Sequence, residues 1–540
     1  MKGKIKKTAW LCLAWGAFLF ASGFQTADGT ARGQGGYLKS ATYYSDAWVV
    51  NFWNSESKDM EKELAAIAAD GFNSIILAVP WREFQPGLYP VSYSGYAWEK
   101  LDQVMEAAKK AGLSVMLRVG YTWDYCGEGS VLGRYRQLLY DNTVYASWLE
   151  YVGRLYQAAS AHENFCGGFL TWEDFWNFTS DAAAFGNTDQ GRLMAKRTGF
   201  ASYVREHYSL EQVKELYGGT ISSYEELYLP TKELPALRVF YEFYDQFLGQ
   251  LLSDSSQVFP GLSMEVRLDG DVVYSEDGRR GGYSHSVTFP CGEAAYTCAM
   301  YGIPIGQENK GERLKAAQAI EGAVSVLDGL LGSNGGKPVY LDQFLFTDNT
   351  PGFEHNAQLA EGELAGYLEG MAPVLEEKTM GYGVWTYRDY GDNRLYNAQF
   401  ALGEEGWEFF EGNAEERNGT MQARLASGGS ISQDTSGRAA GGGGEDTWVE
   451  FSAFSQGASD VTVRMGGRRM SAAVSGEGRV KLCFEGIQPS VLSIENQGAV
   501  LYVDDVQVYT HVSQGKLYDM SGEPLEGIQA VRALNRLLDE

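Results

Sequence analysis

The chain has 540 residues and a formal net charge of −26. That charge argues against nucleic acid or an anionic membrane surface as partner, because neutralising phosphates takes clustered Lys and Arg, and it disfavours a strongly acidic polymer as substrate. The length calls for two or three domains, and 13% aromatic with 21% charged residues describes a folded chain, not a disordered one.

Lys2, Lys4, Lys6 and Lys7 precede an apolar run from Thr8 to Ala21, and Ala21-Ser22-Gly23 offers small residues for cleavage. This is the pattern of a signal peptide, expected over 1–27. The run is short for a membrane span, which needs about 20 apolar residues; an uncleaved anchor is the alternative. Either way the chain is expected outside the cytoplasm, secreted or at the cell surface, with no other membrane association. Apart from Cys12 in the leader, Cys126, Cys166, Cys291, Cys298 and Cys483 are odd in number and lack metal-type spacing. Cys291 and Cys298 could pair across a short loop, but unpaired thiols are the favoured reading. The five His residues form no H-E-x-x-H pattern, which argues against a zinc enzyme.

A Gly-rich linker over 28–40 leads into a domain expected from 41 to 395. Strand-like runs alternate there with helical ones: Trp48–Asn54, Phe72–Trp81, Leu113–Tyr125, Phe169–Trp176, Leu262–Asp269, Tyr296–Tyr301, Pro338–Phe346 and Met380–Tyr387. A mostly helical insertion fills Asp181–Gly261. Eight apolar strands alternating with helices predict a (β/α)₈ TIM barrel, an α/β fold with a parallel sheet. Beyond Asp392 the texture changes to short alternating strands among Gly and Ser, which predicts an all-β sandwich over 396–511. A tail is expected over 512–540, with a helical pattern near Gly527–Leu538.

Such a barrel carries its active site at the C-terminal ends of the strands. Those ends hold Trp53, Trp81, Trp123 with Asp124, Trp172 with Glu173 and Asp174, Trp176, Tyr301, Asp342 with Gln343, and Trp385. Carboxylates ringed by flat aromatics suit a sugar, since acids move the protons and rings stack on pyranose faces. A Trp at a strand end is more often packing than platform; several on one rim reverse that expectation. Glu265 alternates with Met264 and Val266, so it faces either the barrel interior, where it would be functional, or a structural ion pair. Arg118 either holds a catalytic carboxylate or fills a polar core layer.

With these residues in place the chain resembles the retaining glycoside hydrolases built on (β/α)₈ barrels. The run Gly71-Phe72-Asn73-Ser74-Ile75-Ile76 is similar to that clan's second strand, and Tyr203–Pro230 resembles the stretch after the proton donor in β-galactosidase family 42. The resemblance implies an acid/base Glu at the end of strand four, matched by Glu173, and a nucleophile at the end of strand seven. In retaining hydrolysis the two carboxyls sit about 5–5.5 Å apart. Two departures stand out. Trp172 replaces the clan's Asn before the acid/base, and strand seven offers Asp342 or Gln343, by alignment, where a Glu belongs. Three readings follow: Asp342 is the nucleophile, another acid such as Glu265 or Asp174 serves, or the barrel is degenerate and the protein is a non-catalytic one of glycan binding or envelope polysaccharide assembly. No cofactor is expected for catalysis.

The C-terminal sandwich resembles carbohydrate-binding jelly rolls, in which Ca²⁺ often bridges the first and last strands. The resemblance makes Asp505 the candidate ligand; a purely structural buttress is the other reading.

Overall fold

The computed structural model describes residues 36–45, 47–56, 58–120, 131–171, 185–267, 272–274, 280–282, 295–303, 311–347, 349, 356–436 and 445–539. Eight parallel strands close into a barrel in chain order: β1 Leu38–Thr42, β2 Ser74–Val79, β3 Ser114–Val119, β4 Phe165–Leu170, β5 Ser263–Arg267, β6 Thr297–Gly302, β7 Val339–Leu345 and β8 Gly381–Val384. Six lie where the apolar runs predicted them, and β4 starts four residues before its expected Phe169 and ends at Leu170. The first lies elsewhere. Trp48–Asn54 was expected as a strand, yet Val49–Phe52 is one helical turn, fully buried, and β1 comes earlier, starting in the last residues of the expected linker. An apolar run this short has the same appearance as a buried strand or a buried helical turn.

The barrel interior is a packed core. Ile76, Met116, Phe169, Tyr296, Cys298 and Tyr340 fill its lower part. A chain of hydroxyls runs through it: Tyr340 bonds Ser40 at 2.7 Å and Ser40 bonds Ser74 at 2.5 Å. Gly168 gives the Phe259 ring its place against β4, since a Cβ there would come within 2.6 Å of it. Helices over Met60–Ala69, Gly95–Lys110, Asn142–Ala159, Ala236–Val258, Ala316–Ser333 and Leu364–Lys378 surround the strands, their apolar sides joined to the strands' outer faces in one large cluster. No described helix is long and apolar enough to cross a membrane.

No helix directly follows β8; the chain leaves the barrel and builds six antiparallel strands. These are β9 Glu408–Arg417, β10 Thr420–Asp434, β11 Thr447–Met465, β12 Arg468–Phe484, β13 Val491–Gly498 and β14 Leu501–Tyr509. They run in the order β9-β10-β13-β11-β12, with β14 against β10 and β11, around a second core that includes Ile431, Phe451, Val463 and Ile494. The expected all-β region is there, but a jelly roll has eight strands, and six are found in this sheet among the described residues.

The stretch expected as a tail returns to the barrel. The helix Gly527–Leu537 packs beside Leu364–Lys378 and against β8 and β1: Tyr382 donates to Asn535 Oδ1 at 2.5 Å and Lys39 Nζ to the Asn535 carbonyl at 3.1 Å. Arg532 pairs at 2.7 Å with buried Asp70, which also accepts from Tyr387 and Tyr518, each at 2.8 Å. This is the place of a barrel's eighth helix. The all-β domain is therefore inserted between β8 and the helix that completes the barrel.

Candidate active site

Strand β7 is irregular where the sequence places its candidate nucleophile. Against β6 its pairing steps from Tyr340–Cys298 to Gln343–Met300, and against β8 from Leu341–Tyr382 to Phe344–Val384. Three residues on β7 answer two on each neighbour, so β7 carries a bulge. A regular strand would send Asp342 and Gln343 to opposite faces. Here Leu341 and Phe344 pack outward into the helix layer, and Asp342 and Gln343 both reach the interior.

They meet side chains from across the barrel. Gln343 Nε2 donates to Glu265 Oε1 at 3.3 Å. Arg118 on β3 places Nη2 at 3.9 Å from Glu265 Oε2 and donates to Thr171 Oγ1 at 3.2 Å. Asp342, Glu265 and Arg118 are each at most 2% exposed. Neither oxygen of Asp342 has a hydrogen-bond partner of good geometry among the described residues. Its carboxyl is pushed well above the usual range, first by burial and then by the negative charge of Glu265, with Arg118 opposing. Gly383 leaves room for this arrangement, since a Cβ there would lie 2.8 Å from the Asp342 carbonyl oxygen. Cys298 lies beside both acids, its thiol raised by burial and then by their charges.

Trp385 stands next to this cluster, at the end of β8. Its ring centroid is 5.9 Å from the Arg118 guanidinium carbon, and it packs against Tyr44 and Tyr390. Other expected rim residues are absorbed by the fold. Trp53 and Trp81 are 1% and 0% exposed, with their indole N–H groups spent on the Ala78 carbonyl and on Gln85 Oε1, each at 2.8 Å. Trp81 sits edge-on to Trp148. Neither can stack on a sugar. Tyr301 stacks on Phe344 in the layer between barrel and helices, where burial pushes its hydroxyl up to about 12. It too leaves the site. A strand-end position does not say whether a ring lies above the barrel or under the next turn of chain.

Trp123, Asp124, Trp172, Glu173, Asp174 and Trp176 lie outside the described residues. Thr171, two positions before Glu173, is described and buried. The Arg118–Thr171 bond thus ties the acid cluster to the start of the segment that bears Glu173. Sequence reasoning missed Thr171, Cys298 and the bulge, although two adjacent polar residues inside an apolar strand were a sign of the last.

Asp505 does not stand ready for a cation. Its carboxylate meets Arg479 at 2.6 Å, and Asp504 beside it meets Lys58 of the barrel at 3.1 Å. No group of three or more metal-ligating side chains gathers among the described residues. Near the ends of β6 and β7, a cleft of about 610 Å³ is lined by residues including Phe346, Asn349, Gln358, Gln514 and Lys516.

No protein-family model and no curated protein matches the chain. Among solved structures, a GH5_18 protein from Streptomyces cattleya in complex with GlcNAc is 16% identical, with a TM-score of 0.42 over 67% of this chain and 73% of that one. An exo-β-1,4-mannosidase from an Opitutaceae bacterium is 15% identical, with a TM-score of 0.40 over 66% of this chain and 52% of its own. The β-glycosidase BGL167 is 15% identical, with a TM-score of 0.38 over 67% and 88%. Likeness at this level says nothing of what the present chain acts on.

Proposed function

We propose that this protein is an exported glycoside hydrolase that cleaves an oligo- or polysaccharide at the cell surface with two carboxyl groups and no cofactor. One observation carries the reading: two buried carboxyl groups and an arginine converge inside the barrel, from Glu265 and Asp342 midway along β5 and β7 and from Arg118 near the end of β3, below the C-terminal mouth where such folds do their chemistry. An acid cluster held at such a cost in burial is a common mark of a functional site. Glu173 protonates the departing glycosidic oxygen, the anomeric C–O bond breaks, and a carboxylate of the Asp342–Glu265 pair either attacks the anomeric carbon or takes a proton from the attacking water. Trp385 supplies the aromatic face, and the neighbouring cleft is suited to sugars further along the chain. The likeness of Tyr203–Pro230 to β-galactosidase family 42 makes a β-galactoside one candidate substrate.

The rival is a non-catalytic glycan-binding protein of envelope polysaccharide assembly. It draws on the near-complete burial of Asp342 and Glu265 and on the withdrawal of Trp53 and Trp81 from the rim. Hydrolysis of a panel of aryl glycosides and plant, fungal and bacterial glycans separates the two. The expected result is cleavage that falls by a factor of about 10²–10⁴ in Glu173→Gln, with product stereochemistry telling retention from inversion. Binding without cleavage, unchanged by that substitution, supports the rival.

A further inference from the structure

The two acids are not equivalent. Glu265 accepts the Gln343 amide on Oε1 at 3.3 Å, and the Arg118 guanidinium stands 3.9 Å from Oε2, a charge contact longer than a hydrogen bond. Both neighbours are donors only in these contacts, and donors stabilise a carboxylate over a carboxylic acid. Asp342, one residue before Gln343, receives no side-chain amide or guanidinium from a described residue; the side chain it meets is the Glu265 carboxyl itself. The groups facing it are Glu265 from β5, Arg118 from β3, Cys298 from β6 and Tyr340 from β7. Of these only Arg118 is cationic, and its guanidinium already reaches Glu265 and Thr171. Two carboxylates in contact in a dry interior cannot both hold a charge.

We infer that the pair holds one proton at neutral pH, that it rests on Asp342, and that Glu265 is the charged carboxylate of the site. The bulge in β7 creates this asymmetry, because it turns Gln343 inward to the partner acid and leaves Asp342 without an amide of its own. The inference rests on the proposed function only for its catalytic consequence. A sugar that develops positive charge at its anomeric carbon is then met by Glu265, and Asp342 acts as a neutral acid behind it. Gln343 is a positioning residue that keeps the charge where it is.

Infrared difference spectra of the full chain at neutral pH test the placement of the proton without any substrate. Glu173, the proposed proton donor, contributes a protonated-carboxyl carbonyl band of its own, so the test is a second band, expected in the wild type and in Glu173→Gln and lost in Asp342→Asn. Absence of the second band, or its survival in Asp342→Asn with loss in Glu265→Gln, overturns the inference. On any glycan that the wild type cleaves, Glu265→Gln is expected to lower kcat about a hundredfold or more, and Asp342→Asn by less than about tenfold, since an amide copies a protonated carboxyl. The reverse order overturns the catalytic half. If no glycan is cleaved, the hydrolase reading fails, and the infrared result still decides where the proton rests.

Discussion

Asp342 presents a conflict between stability and site chemistry that a single substitution can expose. Unfolded, its carboxyl titrates near the ordinary value of 3.8; folded, it holds its proton to much higher pH. Between those two values the unfolded chain releases a proton that the folded chain keeps, so this residue's contribution to stability is greatest below pH 3.8 and declines as pH rises through the window. Asp342→Asn removes that decline. The variant is expected to melt higher than the wild type at pH 7 by an amount worth about 1–3 kcal/mol, and to show no such gain near pH 3. Thermal denaturation at the two pH values checks it. Trp81 makes the opposite case. Fully buried against Trp148 and Tyr151, it is expected to cost about 3–5 kcal/mol of stability as Trp81→Ala, in denaturant unfolding, with no part in substrate binding.

At the scale of elements, the strands whose faces are both buried were readable from composition alone. SIILAV in β2 and VYLDQFL in β7 are buried nearly throughout, and such runs are apolar whatever else the chain does. Strand β1, LKSAT, was not readable. Its interior side carries Ser40, bonded to Ser74 and Tyr340, and its outer side carries Lys39, whose ammonium is satisfied by Asn535 and Asp539. Nothing local marks such a segment as a strand, because its partners lie from 34 to 500 residues away. The acids of the site were legible as residues and illegible as an arrangement: Glu265 and Asp342 could be named, while the bulge that brings Gln343 to Glu265 depends on pairing with β6 and β8. Likewise the helix Gly527–Leu537 was foreseen and its destination was not. Its anchor is Asp70, 2% exposed at the side chain and paired with Arg532. Arg532→Ala leaves that buried carboxylate without its cation and is expected to cost about 3–5 kcal/mol, whereas Lys110→Ala, which breaks an exposed, solvent-screened pair with Glu61, is expected to leave the unfolding midpoint essentially unchanged. Paired denaturant titrations of the two variants give the comparison.

In the whole molecule the two domains are tied as well as joined. Asn51 Nδ2 donates to the Leu395 carbonyl at 2.9 Å, the Asn397 N–H to Asn54 Oδ1 at 3.0 Å, and the Met421 N–H to Glu56 Oε1 at 3.0 Å, all near the Lys58–Asp504 pair. One cooperative calorimetric transition is expected for the full chain; two well-separated transitions would show that these ties are weak. The helix Gly527–Leu537, which packs on the barrel, lies beyond the inserted domain. A chain that stops at 395 is accordingly expected to expose Tyr382 and Asp70 and to aggregate on expression, a solubility test that a true two-module protein would pass. The same insertion sets an order of events during synthesis. All eight strands leave the ribosome before the segment over 527–537, and β1 pairs directly with β8, so strand closure does not wait for the late helix. What waits is the cover over Lys39, Asp70 and Tyr382, which a growing chain receives only after the whole β-domain has been translated.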